Sequence, residues 1–100
     1  MELTPEGKAV FENWLHSPVA HMNEIRSDFL AKLYFLKDRP EEERRQVLNT
    51  QKRKCELWLN NIENKLSQYP ENDDYLHIVF SFRAEFIRST LKWIETLIQK

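Results

Sequence analysis

The sequence has 100 residues, of which 41% are apolar and 31% charged, and it contains one glycine and four prolines. Because this composition favours long helices and supplies few turn residues, we predict an all-α fold in a single domain spanning residues 1–100. The formal charge of -1 lacks the basic excess typical of proteins that bind nucleic acid directly. One cysteine, no signal-peptide pattern and no apolar run of about 18 residues favour a cytoplasmic protein without a membrane span.

Two short helices are predicted in the first 40 residues. Thr4-Pro5-Glu6 is typical of a helix start, since threonine caps free N–H groups and proline needs no donor there. Pro18 should end this helix after His16. A second helix should run from about Met22 to Leu36, with an apolar stripe formed by Ile25, Phe29, Leu33 and Leu36.

The rest of the sequence predicts a coiled-coil-like antiparallel hairpin of two long helices, Pro40–Tyr69 and Asp73–Gln99. On the first, apolar residues recur near heptad spacing and Gln51 takes one core position; the set is Leu48, Cys55, Trp58 or Leu59, Ile62, Leu66 and Tyr69. On the last helix one face comprises Tyr75, Val79, Phe82, Phe86, Trp93 and Leu97, flanked by Ile78, Ile87, Leu91, Ile94 and Ile98. One partner helix cannot cover so wide an apolar surface, so we expect a homodimer.

Residues capable of chemistry are few and scattered. We read His16, His21 and His77 as surface or capping residues rather than zinc ligands, and Cys55 as a small buried residue. The sequence has no nucleophile motif, paired carboxylates or glycine-rich phosphate loop. We therefore expect no enzymatic activity, no catalytic residue, no metal and no cofactor.

Two further groups leave alternatives open. A basic cluster on the first long helix could touch phosphate, but Glu41 pairs with Arg45 at i, i+4 spacing, which favours a solvated charged face; the cluster is Arg44, Arg45, Lys52, Arg53 and Lys54. Three tryptophans, Trp14, Trp58 and Trp93, could line a pocket for a flat aromatic effector, although ordinary packing is the favoured interpretation.

Two motifs resemble those of a known family. Leu3-Thr4-Pro5-Glu6-Gly7, followed by Trp14-Leu15, resembles the point where PadR-like bacterial transcription regulators enter their C-terminal domain. Residues 26–35, RSDFLAKLYF, are similar to the second helix of that virulence-activator-alpha type domain, with Asp28 in place of the commoner glutamate. The resemblance covers essentially the whole chain, and the winged helix that precedes this domain in the family is absent from the sequence.

The resemblance implies a helical arm that pairs two subunits and so positions two winged helices on DNA. We expect a homodimer that binds DNA only through such a winged helix, with a possible small aromatic effector and no membrane association. The expected interface residues are Leu48, Cys55, Trp58, Ile62, Leu66, Phe82, Phe86, Trp93 and Leu97. The alternative is a free-standing helical adaptor that pairs with another protein.

Overall fold

The computed structural model describes residues 4–19, 21, 24–68 and 74–99, and every regular element among them is helical. The elements are helix α1 (Pro5–His16), a π-helical turn (Ile25–Phe29), and helices α2 (Leu30–Leu36), α3 (Glu41–Gln68) and α4 (Asp74–Gln99). The predicted all-α fold and the two long helices are therefore confirmed. The expected helix limits at Met22, Tyr69 and Asp73 lie outside the described residues. None of the helices described has the length and apolar character needed to cross a membrane.

Helix α1 has the ends that its sequence predicts. The Thr4 hydroxyl oxygen accepts a hydrogen bond from the Gly7 N–H at 3.0 Å, and Pro5 occupies the first turn. After His16, Ser17 takes an extended conformation and its hydroxyl donates to the Asn13 carbonyl at 2.7 Å. These contacts satisfy backbone groups that a helix leaves unpaired at its ends.

The second predicted helix differs from expectation in two respects. It opens as a π-helical turn and becomes α-helical only at Leu30. Its buried positions are Ile25, Phe29, Lys32 and Leu36, so a lysine takes the inward position that the apolar pattern gave to Leu33. Leu33 is only half-buried. The burial of Lys32 depends on its polar contacts, and a pattern of apolar residues does not reveal those contacts.

The chain divides into two compact units, residues 1–51 and 52–100, with α3 contributing to both. The first unit contains α1, the π turn, α2 and the start of α3. Its core is built on Leu15, Leu36 and Val47, and three half-buried apolar residues pack against them: Phe11, Trp14 and Leu33. This core joins the ends of α1 and α2 to the first turns of α3.

The second unit is an antiparallel pair formed by α4 and residues 52–68 of α3. Lys52 lies 3.7 Å from Glu95, and Glu63 lies 3.5 Å from Arg88, so the start of one segment faces the end of the other. The buried residues of α4 are Ala84, Ile87 and Ile94, which belong to a different face from the one led by Phe82. The predicted antiparallel packing of the two long helices is confirmed for these segments, and the coiled-coil character of the pair stays a prediction.

Candidate functional site

The two motifs that suggested a family meet in the first unit. The Trp14 indole N–H donates to Asp28 Oδ1 at 3.0 Å, and Lys32 Nζ lies 3.5 Å from the other oxygen of that carboxylate. Lys32 also donates to the Ser17 carbonyl, and its ammonium lies 5.4 Å from the centre of the Trp14 ring. Only 2% of Lys32 is exposed. Because a buried ammonium needs such partners, these contacts make Lys32 a structural tie between α1 and α2.

Gln51 is the second buried polar residue, in the core position predicted for it. Its side-chain oxygen accepts a hydrogen bond from the Val19 N–H at 2.7 Å. Val19 belongs to the segment that follows α1, so Lys32 and Gln51 hold that segment from two helices. In the part of the chain described, no buried side-chain nitrogen or oxygen lacks a hydrogen-bond partner.

An ionic network connects the C-terminal end of α1 to the N-terminal end of α3. Arg39 donates to Glu12 at 2.7 Å and to Glu43 at 3.1 Å. The hydrogen bond from Arg39 lowers the pKa of the Glu12 carboxyl below its ordinary value, and the bond to Glu12 raises the pKa of Arg39. His16 Nε2 lies 2.8 Å from the same Glu43 oxygen that Arg39 contacts.

The network includes a group of side chains whose ligand types suit a metal ion. One oxygen or nitrogen atom from each of Glu12, His16 and Glu43 lies within 4.8 Å of the others. This group was not predicted from the sequence, because Glu43 lies 27 residues from His16 and on another helix. The available signal was the i, i+4 spacing of Glu12 and His16, which places both on one face of α1.

The residues expected at a dimer interface fall into three classes of exposure. Leu48 and Cys55 are buried. Half-buried positions are Trp58, Ile62, Leu66 and Leu97. Phe82, Phe86 and Trp93 are exposed on α4. The three exposed aromatic residues are therefore the members of the expected set that offer most surface to a partner.

A long apolar surface on α4 includes these three aromatic residues. Tyr75 and Ile78 lie on the same side of the helix at helical spacing and are also exposed. We call the five exposed residues the α4 stripe: Tyr75, Ile78, Phe82, Phe86 and Trp93. Half-buried Val79 and Leu97 extend it along the same side. The stripe is separate from the face of α4 that is formed by the buried residues Ala84, Ile87 and Ile94. This helix therefore has two apolar faces.

The other residue groups singled out in the sequence have ordinary environments. The predicted pair of Arg45 and Glu41 is present at 3.5 Å and is mostly exposed. Lys52, from the same basic cluster, pairs with Glu95. Trp14 belongs to the first unit, where Phe11 and Phe35 pack around it with ring centres 5.8 and 5.9 Å away. Trp58 and Trp93 belong to the second unit.

Comparison with protein families assigns the larger part of the chain. A family model described as virulence activator alpha C-term matches residues 25–100. The chain belongs to this family. No curated protein and no solved structure matched the chain. The matched region begins at the π turn and includes α2, α3 and α4, so it contains Asp28, Lys32 and the whole α4 stripe.

Proposed function

We propose that this chain is the dimerisation domain of a PadR-like bacterial transcription regulator, and that two copies associate through the α4 stripe. Its proposed role is association rather than catalysis: the paired stripes set the spacing and orientation of attached winged-helix domains on DNA. The observation that carries the proposal is the exposure of large apolar side chains along one side of α4. The family match supports the regulatory context.

The amount of apolar surface on the stripe suits a dimer. Because aromatic side chains each bury about 150–250 Å², the observed exposures leave on the order of 500 Å² for a partner to cover. A stable interface takes about 800 Å² from each partner. Val79 and Leu97, together with a polar rim, can supply the remaining area.

The chemistry of the stripe favours a second copy as the partner. From Tyr75 to Leu97, about 33 Å of helix, the centre of this side of α4 carries apolar and serine side chains, and Glu85, seven residues after Ile78, lies at its edge. Two identical stripes can therefore pack about a two-fold axis with apolar side chains at their centres. An adaptor for a different protein would use the same surface, and an aromatic effector stays a prediction from the sequence.

Replacing an exposed residue of the stripe with a charged one tests the proposal. Phe82 is 69% exposed, so Phe82→Asp should leave the fold of the unit intact. Each copy of the variant would bury one unpaired carboxylate in the symmetric interface. We therefore expect dimerisation to weaken by about 100-fold or more. Sedimentation velocity over a concentration series measures this change, and circular dichroism checks the helical content.

Leu57→Asp is the matched control. Leu57 is 61% exposed and lies on the opposite side of α3 from Cys55, so the substitution introduces the same charge away from the stripe. This variant should dimerise like the wild type. A Phe82→Asp chain that stays dimeric, or a Leu57→Asp chain that dissociates, would contradict the assignment of the interface to α4.

A further inference from the structure

Three side chains on α1 and α3 present potential metal-ligand atoms at one place in the first unit. Glu12 and His16 lie one turn apart on α1, and His16 Nδ1 is 3.9 Å from Glu12 Oε2. Glu43, on the first turn of α3, places Oε1 2.8 Å from His16 Nε2. One potential ligand atom from each of the three side chains lies within 4.8 Å of the other two.

The hydrogen bonds of His16 leave one ring nitrogen directed at a carboxylate. Nδ1 lies 2.8 Å from the backbone carbonyl of Glu12, and since a carbonyl only accepts, Nδ1 carries a hydrogen. In the neutral ring, Nε2 then has a lone pair that faces the Glu43 carboxylate. Two lone pairs at this distance need a positive species between them, which is either a proton or a metal ion.

The ring orientation also matches that of metal-binding histidines. Such residues commonly donate the second ring N–H to a backbone carbonyl or carboxylate, which fixes the tautomer and directs the ligand nitrogen. Ligands at about 2.0–2.2 Å from Zn²⁺ are separated by about 3.3 Å, so the ring and the Glu43 carboxylate need to move apart by about half an ångström. His16 is exposed, which leaves room for that movement.

Arg39 competes with a cation for the two carboxylates. Its guanidinium contacts Glu12 Oε1 at 2.7 Å and Glu43 Oε1 at 3.1 Å. The guanidinium therefore neutralises the two carboxylates in the way that a divalent ion would. The Arg39 side chain is 31% exposed, so it can turn into solvent when an ion binds.

We propose that Glu12, His16 and Glu43 form a binding site for a divalent transition-metal ion of the Zn²⁺ class, from which Arg39 is displaced. One imidazole nitrogen and two carboxylate oxygens suit Zn²⁺ better than Mg²⁺, which prefers oxygen ligands and retains its water. Three protein ligands leave a coordination position for water. The ion links α1 to α3 within the first unit.

Isothermal titration of the full chain with ZnCl₂ tests the site, with MgCl₂ titrated in parallel. We expect one Zn²⁺ per chain, bound at least tenfold more tightly than Mg²⁺. His16→Gln and Glu43→Gln should each weaken Zn²⁺ binding at least tenfold. His77→Gln removes a histidine from α4 and should leave the affinity unchanged.

Arg39→Gln separates a metal site from a purely structural network. If Arg39 competes with the ion, its removal tightens Zn²⁺ binding several-fold even where it lowers the stability of the metal-free chain. Arg39→Lys is the second variant, for use if circular dichroism shows that Arg39→Gln loses helical content. It retains a charge but not the guanidinium geometry, and it should also tighten Zn²⁺ binding. Equal Zn²⁺ affinity in wild type and His16→Gln, or weaker binding in folded Arg39 variants, would overturn the proposal.

Discussion

Lys32 connects elements of the first unit through several polar contacts. Its ammonium contacts the Ser17 carbonyl and the Asp28 carboxylate, and Asp28 in turn accepts the Trp14 indole N–H. These contacts connect the segment after α1 to α2. A buried polar group without a hydrogen bond lowers the stability of the fold. Loss of the ammonium should therefore destabilise the unit by leaving its partners without their donor.

Replacement of this amine tests its structural role. Lys32→Met retains a long side chain but leaves the Ser17 carbonyl without its donor, and we expect the free energy of unfolding to fall by about 1–3 kcal/mol. Lys37→Met is the control, because Lys37 is exposed and its ammonium lies over the Tyr34 ring, a contact that contributes about 1 kcal/mol or less. Denaturant unfolding at one fixed protein concentration compares the two; a larger loss for Lys37→Met would show that Lys32 is not the tie.

The lowered pKa of Glu12 predicts a particular dependence of stability on pH. A carboxyl whose pKa is lower in the folded state stabilises the fold above its ordinary pKa of 4.5, and this contribution is lost as the pH falls through the folded value. Glu12→Gln removes the contribution. The wild type should therefore be more stable than the variant at neutral pH, and the difference should shrink as the pH falls below 4.5.

Chemical unfolding between pH 7 and pH 3 measures that difference. Glu56→Gln, at an exposed position on α3, removes a carboxylate outside the network and serves as the control. A difference between wild type and Glu12→Gln that grows toward low pH would contradict the assigned role of Arg39 beside Glu12.

Among the elements, α4 has two apolar faces that differ in burial. One is covered within the second unit by residues 52–68 of α3, while the α4 stripe is exposed. Heptad-like spacing indicates that both faces are apolar, because it counts residues around the helix axis. It does not show which face the neighbouring segment covers, since that depends on how the two segments are rotated against each other.

A pair of identical substitutions on α4 tests this assignment. Ile87 is 1% exposed and Ile78 is 63% exposed. Ile87→Ala should lower the free energy of unfolding by about 2–5 kcal/mol through a cavity, whereas Ile78→Ala should change it by about 0.5 kcal/mol or less. Both are best measured in a chain that also carries Phe82→Asp, so that dissociation does not contribute. Equal losses would show that the faces are wrongly assigned.

The predictable part of the structure is that governed by local rules. Helix limits followed from Thr4-Pro5 and Pro18, and the long helices followed from the absence of breakers. The burial of Lys32 and the meeting of His16 with Glu43 were not predictable in this way, because each depends on residues from different helices. Sequence spacing placed Phe82 and Phe86 on a common face, and the structure adds their exposure.

In the whole molecule, the region that matches the family also contains the surface proposed for dimerisation. The family match covers residues 25–100, which contain the α4 stripe and the residues that pack α4 within its own unit. A regulator that acts as a dimer needs a surface that is self-complementary and separate from its own core. In the proposed dimer the large exposed side chains of the stripe meet the first need, and the stripe lies on a different face of α4 from the buried residues Ala84, Ile87 and Ile94.

The mass of the wild-type chain in solution tests whether the chain forms the proposed dimer. The chain has a mass of 12.2 kDa, and sedimentation velocity at tens of micromolar protein should give a species of twice this mass. Dilution should shift the population toward the single chain by mass action. A wild-type chain that sediments as a 12.2 kDa species throughout this concentration range would contradict dimerisation through the α4 stripe.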